Sequence, residues 1–157
     1  ARGSAVITLI LAGSFMLNYA FTAEGVPQSM AMWVDSMHLS KIQFLLLVNF
    51  ILLAAGNFMD PAAIVLIMAP ILFPVAVKMG VHPVHFGILM AVNMEVGLCH
   101  PPVGLNLYVS SGITKMGITE LTVAVWPWLL TMIGFLLIIT FWPGLTLWFP
   151  HLMGMVN

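Results

Sequence analysis

Two stretches of this chain carry no acidic or basic side chain over a distance that crosses a bilayer. Gly3–Ala23 runs 21 residues without Asp, Glu, Lys or Arg, and Leu121–Pro150 runs 30. A helix crosses a hydrocarbon core of about 30 Å with about 20 apolar residues, so both are predicted spans. Composition agrees: 62% of the 157 residues are hydrophobic and 6% are charged, against about 25% charged in an average soluble domain. Four basic and five acidic side chains cannot cover a surface facing water, which makes lipid the expected solvent. A formal net charge of -1 excludes nucleic acid as a partner and argues against a basic surface-bound helix. The lone Cys99 excludes an intrachain disulfide framework and most thiolate metal sites; it reads as a small buried apolar residue. The first residues, ARGSAVITLILAGSFMLNYAF, have a basic start before an apolar run too long for a signal peptide. With no initiator Met, the sequence reads as a fragment that begins mid-protein.

The chain divides into five segments within a single all-α polytopic membrane domain, residues 1–157. A span over 3–23 is followed by an interfacial arm over 24–41, mixing Glu24, Gly25, Pro27, Asp35, His38 and Lys41 with Met residues and the aromatic anchor Trp33. The apolar runs 42–59 and 61–77 are separated only by Asp60. They read equally well as two short spans or as one re-entrant hairpin over 42–77, with GNFMDP at its tip. Gly56 permits the turn, and Pro61 suits the first position of a helix. Residues 83–113 are long enough to cross but contain Pro101 and Pro102. These remove two backbone donors, so a discontinuous helix is predicted, unwound near 99–104. The final span, 121–149, has Trp126, Trp128, Trp142 and Trp148 toward its two ends, as interface anchors do. Lys41 and Lys78 fall on one side of the membrane and Arg2 and Lys115 on the other, a balance that gives no orientation by the positive-inside rule.

Chemistry concentrates at the two interruptions. A helix that ends within the membrane leaves carbonyls without donors, and the helix that resumes begins with free amides. Carbonyls can hold a desolvated cation such as Na⁺, while the amide end favours an anionic group. Gly56 and Asn57 before Asp60-Pro61, and Gly97 through His100 before Pro101-Pro102, supply this arrangement twice. Gly104 closes the second break, and Asn57, Asn93 and Asn106 add neutral amide ligands. Asp60 and Glu95 are ionisable groups at membrane depth, where a function is the default expectation. His82 and His85, spaced H-x-x-H, read as interfacial polar residues, since neither this spacing nor any HExxH motif supports a transition metal. Val109-Ser110-Ser111-Gly112 lacks the leading glycine of a hydrolase elbow. An intramembrane hydrolase using Asp60, Glu95 or His100, or a passive channel subunit, is the alternative to a transporter.

GNFMDPAAIVLIMAPILFP, GVHPVHFGI and GLCHPPVGLNLYVSSGI, in this order and spacing, resemble the large membrane subunit of tripartite ATP-independent periplasmic (TRAP) transporters. The closing WPWLL and FWPGLTLWFP are similar to that subunit's C-terminal end. The resemblance implies the C-terminal half of an inverted-repeat, elevator-type transporter, not an enzyme. It further implies a small four-helix membrane subunit and a periplasmic substrate-binding protein as partners, and carboxylate import coupled to Na⁺ across the bacterial inner membrane. Residues 42–77 then become a re-entrant hairpin whose tip, Gly56, Asn57 and Asp60, faces the break at Gly97–Asn106. Together with His100, Pro101, Pro102, Gly104 and Asn106 they would make the ion and substrate site, with Na⁺ held near Gly56, Asn57, Asp60 and Gly97. Many relatives carry Thr where this chain has His100, which puts side-chain coordination there in question. The GLCHPPVGLNLYVSSGITKMGITEL stretch is most similar to members handling C4-dicarboxylates.

Overall fold

The computed structural model describes residues 23–57, 61–101 and 104–154, with residues 12, 13, 16, 19 and 20. Most of the predicted 3–23 span lies outside the described residues, as do Asp60 and Pro102. Regular structure among the described residues is α-helical throughout, and from Val26 onward it forms seven helices. These are α1 (Val26–Ser36), α2 (Lys41–Gly56), α3 (Pro61–Lys78), α4 (Pro83–Cys99), α5 (Leu105–Thr114), α6 (Ile118–Phe141) and α7 (Pro143–Leu152).

Local chemistry sets the boundaries. Ser40 and Gln43 form a reciprocal capping box at the start of α2: the Gln43 amide donates to Ser40 Oγ at 3.3 Å, and the Ser40 amide to Gln43 Oε1 at 2.9 Å. Pro61 opens α3, where its missing N–H would have had no helical partner. That helix then runs through Pro70 and Pro74 without a break. Lys41 Nζ donates to the Gly80 carbonyl, so the start of α2 and the end of α3 lie together at one end of a helical hairpin. His82 caps α4, its Nδ1 accepting from the Val84 amide at 3.3 Å. The predicted span over 121–149 is divided between two helices. Trp142 leaves helical geometry (φ -123°, ψ 80°) ahead of Pro143, as the steric restriction on a residue preceding proline dictates.

Helix α4 is the hub and packs against α2, α3, α5, α6 and α7, while α1 lies against α3. Phe44, Val48 and Leu52 of α2, Leu72 and Val75 of α3, and Phe86, Leu89 and Met94 of α4 form the shared apolar core. Two buried polar links cross it. Asn93 Nδ2 donates to Asn49 Oδ1 at 2.9 Å and to the Leu89 carbonyl at 2.8 Å, and Asn49 Nδ2 donates to Thr140 Oγ1 at 2.8 Å. This joins α2, α4 and α6. His85 Nδ1 meets Thr146 Oγ1 at 2.7 Å and joins α4 to α7. Thr146 itself donates to the Pro143 carbonyl at 2.8 Å, so its oxygen accepts the Nδ1 proton. His85 thus takes part in helix packing, which the H-x-x-H spacing did not reveal. It is wholly buried, because it falls one turn before Leu89 and two before Asn93 on the inward face of α4.

The periphery is apolar. Val123, Trp128, Phe135, Ile138 and Phe141 of α6 and Trp148 of α7 are all exposed, an arrangement suited to lipid and to neighbouring helices. Helices α3 and α6 are long and apolar enough to cross a membrane. At 1.5 Å per residue α6 extends about 36 Å.

Candidate functional site

The two interruptions meet. Gly56, the last residue of α2, lies backbone to backbone against Gly97, three residues before His100, where α4 ends and the second interruption begins. A Cβ built on Gly97 would stand 2.9 Å from Gly56 Cα, and one built on Gly56 would stand 3.1 Å from Gly97 Cα. Such separations are shorter than ordinary carbon–carbon contact at about 3.5–4.0 Å, so glycine is required on both sides. This approach brings the polar residues beyond each helix end together. Asn57 caps α2, and its Nδ2 donates to His100 Nδ1 at 3.2 Å. With that bond made, the neutral imidazole carries its proton on Nε2.

Asn57 is 8% exposed, and its Oδ1 has no hydrogen-bond partner among the described residues. A buried amide oxygen without a donor is costly. In a continuous α4, the Gly97 and Leu98 carbonyls would accept from the amides four residues on, positions held by Pro101 and Pro102, which have none. The His100 amide reaches back to Gly97 O at 3.3 Å instead, and His100 itself is extended (φ -85°, ψ 129°). Gly104 adopts φ +23°, and a Cβ there would stand 2.9 Å from His100 O and 3.0 Å from Leu98 O. Its lack of a side chain lets two carbonyl oxygens close over it. The Leu98 and His100 carbonyl oxygens thus lie together at the break, and the imidazole of the same His100 meets the Asn57 amide.

Gly56, Asn57, Gly97, His100 and Gly104 are thus brought together at one place. Pro101 is half-buried in the turn between α4 and α5. Asn106 is exposed, and its Nδ2 donates to Cys99 Sγ at 3.6 Å, spanning the break rather than joining Asn57. Cys99 is partly rather than fully buried. Asp60 and Pro102, both predicted site members, lie outside the described residues. Glu95 is exposed on α4, and Asn93 lies one turn before Gly97 within the Asn49–Thr140 link. Among the described residues no group of three His, Cys, Asp or Glu side chains converges to hold a metal ion. Asn49 was not singled out from the sequence. Its signal was a polar amide within the otherwise apolar run IQFLLLVNFILLAAG, seven residues before Gly56.

The family described as the tripartite ATP-independent periplasmic transporter, DctM component, matches residues 1–145. The chain belongs to this family. Among its DctM relatives, a C4-dicarboxylate TRAP transporter large permease protein of Rhodobacter capsulatus is 60% identical over 155 residues, which is 99% of this chain and 35% of the relative. A protein of the same description from Pseudomonas aeruginosa is 47% identical, over 96% of the chain and 35% of its own length. The sialic acid TRAP transporter large permease protein of Vibrio cholerae is 33% identical, over 95% of the chain and 35% of its own length. This DctM-family chain therefore spans about a third of the length of the curated relatives it matches. It is an all-helical membrane protein, and its relatives are transporter permeases.

Proposed function

We propose that the chain forms part of the large membrane subunit of a Na⁺-coupled secondary transporter that imports carboxylates. The carrying observation is the meeting of two interrupted helices at Gly56 and Gly97, with the Asn57 amide oxygen beside them buried and without a partner among the described residues. An acceptor in that condition is complemented by a donor or a cation. The Leu98 carbonyl, whose helical donor position is Pro102, and the His100 carbonyl beside it offer a desolvated Na⁺ the ligands it takes from neutral oxygen. Asp60, three residues beyond Asn57 in sequence, adds the negative charge. The amide-rich start of α5, at Leu105 beyond Gly104, suits the substrate carboxylate.

The hairpin of α2 and α3 is on this reading re-entrant and moves with the discontinuous helix α4–α5 as one elevator-like body. A periplasmic binding protein delivers the substrate, a small four-helix membrane subunit completes the assembly, and the whole sits in the bacterial inner membrane as a multi-pass protein. C4-dicarboxylates are the preferred substrate class, supported by two relatives described as C4-dicarboxylate permeases, at 60% and 47% identity. The sialic acid relative stands at 33%.

The test is uptake of radiolabelled succinate by the complete system in proteoliposomes, with and without an inward sodium gradient. Uptake that follows the gradient and is competed by malate and fumarate is expected. Equal uptake without sodium would overturn the coupling, and transport of sialic acid in preference to succinate would overturn the substrate class.

A further inference from the structure

Glu95 lies outside the paired breaks and still requires an explanation. It is twelve residues into α4, about 18 Å from the Pro83 end at 1.5 Å per residue, and so well within a hydrocarbon layer of about 30 Å. Glu95 borders a groove of about 430 Å³ between α4 and α6. Ala91, Val92 and Val96 form one wall, and Met132 and Phe135 the other. Thr131 also lines the groove, but its hydroxyl donates to the Trp128 carbonyl at 2.7 Å within its own helix. No hydrogen bond or ion pair from the described residues reaches Glu95. Lys41, bonded to Gly80, and Lys78, in the last turn of α3, sit at the opposite end of α4, and Lys115 caps the far end of α5.

A carboxyl group in such a place needs a hydrogen-bond partner or cation supplied from elsewhere. The spacing of the walls says what shape supplies it. Positions 91, 92, 95 and 96 on α4, and 131, 132 and 135 on α6, each repeat at one helical turn. Two such ridges side by side leave a trough that a third helix fills. An acyl chain could lie there but could not answer the carboxyl group. The family relatives are about three times the length of this chain, so about two thirds of such a permease lies outside the matched segment and can supply the helix that fills the trough.

We propose that the α4–α6 groove seats a membrane helix carrying an arginine or lysine at the depth of Glu95, contributed by the part of the permease outside this sequence. The proposal rests on family membership and not on sodium coupling, so its test reads contacts and not uptake.

The test places the photocrosslinker p-benzoylphenylalanine at position 135, in the permease expressed from its complete reading frame with its partner subunit. An engineered protease site precedes the present sequence. After irradiation in native membranes and cleavage, the two fragments should remain covalently joined. Peptide sequencing should put the adduct within one helical turn of an Arg or Lys. Glu95→Lys should lower adduct yield at least fivefold and Glu95→Gln less. Exchanging the identified base for Glu in the Glu95→Lys background should restore the yield, which separates lost pairing from lost folding. An adduct only on lipid, on a second copy or on the small subunit overturns the proposal, as does an adduct on a helix without a basic residue nearby, or no adduct.

Discussion

Replacing Gly97 with alanine tests the helix contact on which the candidate site depends. The added methyl would stand 2.9 Å from Gly56 Cα, 3.3 Å from its carbonyl carbon and 3.5 Å from its oxygen. All of these atoms are backbone, so no side chain can rotate aside. To restore carbon–carbon contact of about 3.5–4.0 Å, α2 and α4 must part by roughly 0.6–1 Å. Overpacking of this kind costs about 1–3 kcal/mol. The same displacement takes the Asn57–His100 bond from 3.2 Å to roughly 3.8 Å or more, beyond hydrogen-bonding range. A penalty of 1–3 kcal/mol falling on the closed geometry lowers its population by about 5- to 150-fold.

The assay is paired: thermal unfolding of the purified permease, and sodium-dependent uptake at fixed substrate. Gly134→Ala is the control, since Gly134 lies in a helix with nothing within 4 Å of a built Cβ, and alanine there is favoured by about 0.5–1 kcal/mol. Gly97→Ala should fall below wild type in both measurements while Gly134→Ala does not. Gly56→Ala should mimic it, and the double variant should be less harmful than the two losses added, because one parting of the helices accommodates both methyls. If Gly97→Ala behaves as Gly134→Ala in both assays, the helices are not in contact there and the reasoning fails.

Asn57→Leu removes both the bond to His100 and the unpartnered Oδ1. It should abolish sodium-dependent uptake while leaving the unfolding temperature near wild type, because the lost bond is offset by relief of an unsatisfied acceptor. Thr140→Val deprives Asn49 Nδ2 of its acceptor in the core and should destabilise by about 1–3 kcal/mol, read as a lowered unfolding temperature. Gly104→Ala combines a positive φ with a Cβ 2.9 Å from His100 O. It should rearrange the break and lose uptake at least tenfold, with protein still inserted in the membrane on a western blot.

What could be read from the residues alone was the set of interruptions, because glycine and proline act on their own backbone. Gly56, Pro61 and the Pro101-Pro102 pair mark the end of α2, the start of α3 and the end of α4 without reference to any distant residue. Trp142 was harder. It looked like an interface anchor at the end of one span, whereas Pro143 beside it ends α6 and begins α7. The Asn49–Asn93–Thr140 link was not legible, since it depends on the register among three helices separated by 44 and 91 positions. The burial of His85 was hidden for the same reason, since only the docking of α7 provides Thr146 to receive its proton.

The division has a physical consequence for where function can reside. Side chains at this site are few, and His100 stands where the family resemblance leads one to expect Thr. A pocket that relied on a particular hydroxyl would fail with that exchange. One built from the Gly97, Leu98 and His100 carbonyls would not, because Pro101 and Pro102 withhold helix donors whatever side chain precedes them. His100→Thr should accordingly remove the Asn57 bond yet keep sodium-dependent uptake within a few-fold of wild type, whereas Pro101→Ala, which returns an amide donor to the Gly97 carbonyl, should lose it. The opposite ranking would put the chemistry in the imidazole and not in the broken backbone.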